Sequence, residues 1–190
     1  AGGYCNTSSG CTSTIGGGYG NLADCGFSTI GGGFKNISSG TYSVIGGGGR
    51  NCVSIGYYSV IVGGFKNTVS ASIGTVDYGM IGGGKENQIF TSYSTISGGY
   101  KNIVSGGTGT IGGGYQNKIY GGASTIGGGE CNTASGSKSI IGGGYKNKIC
   151  TNGNYSSIVG GTGNTVDSSF SFIGGGSGNT TNNCAQAMII

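Results

Sequence analysis

Isoleucine followed by glycines, with an asparagine six residues on, recurs along the whole chain. Taken as position zero, the isoleucine falls at Ile15, Ile30, Ile45, Ile61, Ile81, Ile96, Ile111, Ile126, Ile141, Ile158 and Ile173, in steps of 15, 15, 16, 20, 15, 15, 15, 15, 17 and 15 residues. Positions +2 and +3 are glycine in every copy. Position +6 is asparagine: Asn6, Asn21, Asn36, Asn51, Asn67, Asn87, Asn102, Asn117, Asn132, Asn147, Asn164 and Asn179, the first in an opening copy that lacks its isoleucine. A unit of 15 residues is too short for a helical repeat, which needs more than about 30. It fits one coil of a β-solenoid with two short strands and two turns. Strand alternation puts position −2, serine at Ser13, Ser28, Ser43, Ser59, Ser94, Ser124 and Ser139, on the same face as the isoleucine. It likewise pairs the asparagine with position +8, mostly Val, Ile or Ala. The predicted fold is all-β: one parallel β-solenoid array over residues 1–190, about twelve 15-residue coils with an isoleucine ladder facing a smaller aliphatic one.

Stacked coils lie about 4.8 Å apart, so twelve make a stack of roughly 55–60 Å. Identical amides at that spacing can bond along a ladder, or each can satisfy the backbone groups of its own turn. The paired glycines supply positive φ or a close backbone approach. The long steps fall after the asparagine, near 53–59, 69–79 and 149–156. They predict loops that bulge from one edge, where specific contacts concentrate.

Composition narrows the function classes. The chain holds 49 glycines and no proline, tryptophan or histidine. Glycine is not at every third residue, which excludes collagen, and a fixed apolar register argues against a flexible linker. A phosphate-binding loop occurs once, between a strand and a helix, whereas these glycines recur at every period. Net charge is +4, spread without a Lys/Arg run, so nucleic acid is not an expected partner. No apolar run approaches the roughly 18–20 residues of a membrane span, so membrane insertion is not expected. The acids Asp24, Asp77, Glu86, Glu130 and Asp167 fall in different coils, leaving acid–base catalysis without paired groups. No catalysis, metal or cofactor is expected. The chain starts and stops inside a unit, which predicts a segment of a longer array.

Seven cysteines, Cys5, Cys11, Cys25, Cys52, Cys131, Cys150 and Cys184, occupy scattered positions with no C-x-x-C. Only Cys11 and Cys25 fall near the same position of neighbouring units, a candidate disulfide against the alternative of buried free thiols. Sequons occur at Asn6, Asn36, Asn154 and Asn179. All but Asn154 are ladder residues, so Asn154 is the one expected to be open to a glycan.

Two columns are candidate surfaces. Position +4 is aromatic at Tyr4, Tyr19, Phe34, Phe65, Tyr100, Tyr115 and Tyr145, and lysine follows at Lys35, Lys66, Lys101 and Lys146. The stripe can stack on sugar rings or attract an acidic glycan. It can equally be a packing ladder with solvated lysines beside it. Position −1 reads Thr14, Thr29, Val44, Val60, Met80, Thr95, Thr110, Thr125, Ile140, Ser157 and Phe172, with no charge. A solvated column would carry some Lys or Glu, so this one is expected to face a partner subunit; a plain β-branched surface is the alternative. Val44, Val60, Met80, Ile140 and Phe172 interrupt its threonines, which counts against ice binding.

The segment NTASGSKSIIGGGYKN, residues 132–147, resembles the head repeat of YadA-type trimeric autotransporter adhesins, S-x-A-x-G-x-x-S-x-A-I-G-x-x. Ala134, Gly136, Ser139, Ile141 and Gly142 match in order. The chain is also similar to the IGGG/Asn repeat arrays of phage and large-virus fibre proteins. The resemblance covers nearly the whole chain, although its period is one residue longer and asparagine stands where Ser or Ala is common. It implies a left-handed β-roll, a homotrimer, and display on the extracellular surface of a virion or cell. The function expected is a structural fibre or shaft segment that supports attachment. The alternative is an adhesin-type module that recognises glycans or a host surface protein through its edge loops or the Tyr/Lys stripe.

Overall fold

A computed structural model describes residues 2–71, 74–182 and 186–190. Cys184 and part of the 69–79 insertion lie outside the described residues. The chain divides into two compact units, residues 1–99 and 100–190, and each is a parallel β-solenoid of the predicted kind.

In the first unit, positions −1 and 0 form two-residue strands: Thr14–Ile15, Thr29–Ile30, Val44–Ile45, Val60–Ile61, Met80–Ile81 and Thr95–Ile96. They stack in parallel in that order. Positions +7 and +8 form the second parallel sheet, from Thr7–Ser8 through Leu22–Ala23, Ile37–Ser38, Cys52–Val53 and Thr68–Val69 to Gln88–Ile89. Register follows the repeat, with Ile30 opposite Ile45 and Val53 opposite Val69. A third column of single-residue bridges runs through position +4: Tyr4, Tyr19, Phe34, Gly49, Phe65 and Lys85. The coil therefore has three sides, one more than the two-strand coil expected. The third stays one residue wide because position +5 turns into the left-handed region, as at Lys35 (φ +50°). In the second unit the −1/0 strands run from Thr110–Ile111 to Met188–Ile189, the +7/+8 strands from Ile103–Val104 to Thr180–Thr181. Its third column runs Tyr100, Tyr115, Glu130, Tyr145, Thr162 and Ser177. No helix occurs among the described residues, hence none long and apolar enough to cross a membrane.

The core is thin. From Ile30 to Ile173 every position-zero isoleucine is fully buried, as are the aliphatic residues at +8. Inward serines bond the loop behind them, as Ser28 Oγ does to the Cys25 carbonyl at 2.7 Å. Where Ser38 replaces the aliphatic residue, its hydroxyl meets that of Ser43 at 2.6 Å. Two small apolar side chains per coil cannot offset the ordering of a whole coil, so each coil depends on its neighbours. Glycine at +3 makes their close stacking feasible. Gly48 has φ +82°, and a Cβ there would lie 2.1 Å from the Gly64 carbonyl oxygen of the next coil. Around Gly47, one position earlier, the space is open.

The long steps leave these columns in register. Asn87 N still donates to Asn67 Oδ1 at 3.0 Å across the 20-residue step. Within that step Val76 is fully buried, and Asp77 Oδ1 accepts from Tyr57 N at 3.0 Å.

Candidate functional site

The asparagine column is the most repetitive chemistry in the molecule. Asn51 Nδ2 donates to the Gly47 carbonyl of its own coil (2.9 Å) and to the Gly64 carbonyl of the next (3.0 Å). Asn51 Oδ1 accepts from the backbone N–H of Asn67 (3.0 Å). In the first unit Asn21, Asn36 and Asn67 make the same three bonds, and in the second unit Asn117, Asn132, Asn147 and Asn164 do. Asn6 and Asn87 of the first unit, and Asn102 and Asn179 of the second, make bonds of the same kind. Each amide thus serves main-chain groups of its turn and of the adjacent coil. Direct amide–amide bonds are few, as between Asn21 and Asn6 (3.1 Å).

The candidate stripe lies on the third side. In the first unit Tyr4 stacks on Tyr19 and Tyr19 on Phe34, both at 5.6 Å between ring centroids. Gly49 and Lys85 interrupt the aromatic run before and after Phe65. The lysines are not simply solvated. Lys35 Nζ lies 5.3 Å from the Phe34 ring centroid and Lys66 Nζ 5.6 Å from that of Phe65. Arg50, which the sequence reading did not single out, has its Cζ 5.8 Å from the Phe34 ring and 5.9 Å from the Phe65 ring. Its guanidinium occupies the slot that Gly49 leaves between them. In the second unit Lys101 lies over Tyr100 and Lys146 over Tyr145. Tyr100 and Tyr115 meet tilted at 5.5 Å, and Glu130 separates Tyr115 from Tyr145. The Lys146 pKa is raised, first by its hydrogen bond to Tyr145.

A second aromatic column lies three residues before the isoleucine. Phe27, Tyr42, Tyr58, Tyr78 and Tyr93 stack in sequence with centroids 4.6, 5.0, 5.2 and 5.1 Å apart and planes within 17° of parallel. In the second unit Tyr155 stacks on Phe170 at 5.1 Å, with Lys138 Nζ over the Tyr155 ring. All these rings are exposed to solvent along their edges, and all sit at φ between +54° and +58°, a region bulky residues rarely adopt. The signal was available: counted back from the following isoleucine, these aromatics share one position whatever the length of the step before it.

Position −1 points outward as expected: Val44, Met80 and Ile140 are exposed, the last at 52%. The disulfide considered for Cys11 and Cys25 is not made; both are free thiols. Cys11 lies four residues before its isoleucine and Cys25 five, so the two are offset by one residue. Cys25 Sγ instead meets Thr41 Oγ1 at 3.2 Å. Asn154 is half-buried and its Oδ1 accepts from Ser137 N at 2.8 Å. Among the described residues, no three His, Cys, Asp or Glu side chains gather in a metal-binding arrangement. No protein-family model matches the chain, and a search of curated proteins finds no match.

Proposed function

We propose that this chain is a structural fibre or shaft segment on the extracellular surface of a virion or cell, assembled as a homotrimer, that holds an attachment tip away from that surface. The asparagine column carries this reading. Each coil commits its principal buried polar side chain to the coil beside it, so cohesion runs along the stacking direction, the direction in which a shaft is loaded. The uncharged −1 column supports self-association. The test is immunogold labelling of intact particles or cells with an antiserum against residues 1–190, joined to light scattering of the purified chain. Label between the surface and an outer tip, with a mass three times 18.5 kDa, is the expected result. Label confined to the interior, or a monomeric mass, overturns the fibre or the trimer respectively.

The cation–ring pairs of the third side favour a second reading, a binding module for glycans or a host surface protein. Lys101 held over Tyr100 is the kind of pair that engages a sugar and its acidic substituent together. Glycan-array binding that disappears in a Tyr100→Ala, Lys101→Ala double variant favours this reading. Arrays without signal, from a correctly assembled protein, leave the shaft alone.

A further inference from the structure

We propose that Lys35, Arg50 and Lys66 form a binding site for a linear acidic polysaccharide, carrying sulfate or carboxylate groups, that lies along the stacked coils of residues 1–99; this rests on the second reading above. The three cations occupy position +5 of three successive coils. Like charges stacked one coil apart repel. All three side chains are exposed, and none makes an ion pair with a carboxylate among the described residues. Glu86, the next residue in the column, lies beside Lys85 at 3.9 Å. Between Lys35 and Arg50, and between Arg50 and Lys66, the column holds no carboxylate that would relieve the repulsion.

The backbone does not demand these cations. Position +5 is left-handed at Lys35 (φ +50°), Arg50 (φ +55°) and Lys66 (φ +56°), a conformation that glycine takes without strain. Gly20 fills the same position one coil earlier, and Gln116 fills it in the second unit without a charge. Long basic side chains are thus kept at a strained place, against one another, where uncharged residues serve the turn.

The rings make the row a prepared surface. Phe34 and Phe65 hold Lys35, Lys66 and, between them, Arg50 within 6 Å of their faces. Cations so restrained lose less side-chain freedom on meeting a ligand. Arg50 adds a planar fork that grips sulfate or carboxylate through two parallel bonds. A single small anion would neutralise one member of the row, and a neutral glycan none. A polymer with an anionic group on successive sugars neutralises all three at a spacing on the order of the 4.8 Å between coils.

The test measures binding of the 190-residue chain to immobilised heparin, hyaluronan and neutral dextran across a salt series, with a single-stranded oligonucleotide as competitor. The variant is Lys35→Gln, Arg50→Gln, Lys66→Gln together; glutamine is suitable because Gln116 already tolerates the same backbone. Its fold is checked by circular dichroism, and single Lys35→Gln and Lys66→Gln variants stand in if the triple one does not fold. The control is Lys118→Gln, Lys148→Gln, at position +7 of the second unit. The expected result is binding to an acidic polysaccharide over dextran, weakened at least about tenfold in the triple variant with a shallower salt slope, since fewer counter-ions are released, and about threefold or less in the control. Equal losses in both variants, or equal binding to dextran, overturn the site. Preferential binding of the oligonucleotide overturns the ligand class. Polysaccharide binding lost only with Tyr100→Ala and Lys101→Ala leaves the second reading standing without this site. No binding to either acidic polysaccharide overturns the site, while the second reading is decided by the glycan array.

Discussion

At the scale of the residue, asparagine at +6 is the group that this coil cannot exchange. Its own turn offers one carbonyl oxygen, and the next coil a second carbonyl oxygen and one N–H, to a single buried side chain. An amide supplies two donors and an acceptor in one plane. Aspartate has no donor, and serine is too short to reach all three. Asn51→Ala leaves these groups unpaired in the interior at roughly 1–3 kcal/mol each, so a loss of about 3–5 kcal/mol is expected in urea denaturation. Asn51→Asp fits the same volume but sets a carboxylate against two carbonyl oxygens. It should cost at least as much, and an Asp variant of wild-type stability would show that the amide's donors are dispensable. Beside it, burial raises the Cys52 thiol, with the Asp24 carboxylate adding to the effect. A folded-state pKa above the unfolded one gives stability that is complete below the unfolded thiol pKa and fades as pH climbs through the folded value. Urea midpoints should therefore fall as pH passes about 9, and Cys52→Ala should reduce that fall. At neutral pH iodoacetamide should reach the exposed Cys5 and Cys11 before Cys52; equal labelling rates would contradict the burial.

At the scale of the element, the problem is how loops of unequal length re-enter a fixed register. Tyr58, Tyr78 and Tyr155 end the 16-, 20- and 17-residue steps, and each is stacked on the corresponding ring of a neighbouring coil. The aromatic column clamps the returning chain three residues before the isoleucine must enter the core. Its cost is the left-handed backbone, φ +57° at Tyr58. Tyr58→Ala removes the stack and keeps the strain, while Tyr58→Gly removes both. The glycine variant should be the more stable of the two by about 1 kcal/mol, with both below wild type in thermal unfolding. If alanine proves better than glycine, the residue is not left-handed in solution. This column also marks the limit of what the sequence made legible. The isoleucine, serine and asparagine columns keep constant spacing from the isoleucine, so strand alternation alone assigns their faces. The aromatics at −3 are harder to see because Thr12, Thr108, Ala123 and Lys138 break their column. The left-handed turn at +5 was hidden for another reason. Lys35, Arg50 and Lys66 stand where the local rule favours glycine, and only Gly20, Gly163 and Gly178 hint at it. The third side of the coil, and Arg50 between two rings, depend on that turn.

At the scale of the whole molecule, the distribution of charge matters more than its total. Counted by column, the nine basic and five acidic residues avoid positions −1 and +1 altogether. Lys35, Arg50, Lys66, Lys101 and Lys146 share position +5, and Lys118 and Lys148 share +7. At −1, residues such as Val44, Met80 and Ile140 are exposed. Depletion of charge with enrichment in apolar side chains is the composition of an interface core. The partner proposed for it is a second copy of the same chain, since an identical stack repeats at the same spacing along the contact. Lysine introduced at the centre of such a contact must be desolvated without a partner, a cost of several kcal/mol, and each copy in a symmetric assembly carries the same defect. If the proposed trimer forms through the −1 positions, Val44→Lys and Ile140→Lys, made separately, should each reduce a mass of three chains to that of one, 18.5 kDa, by light scattering. Their circular dichroism should not change, because these side chains point away from the core. Gln116→Lys adds the same charge at +5, where lysine already occurs in other coils, and should leave the mass at three chains. Trimers that survive both face variants would move the contact to another side of the coil. Loss of assembly with all three would mean that net charge, rather than this face, controls association.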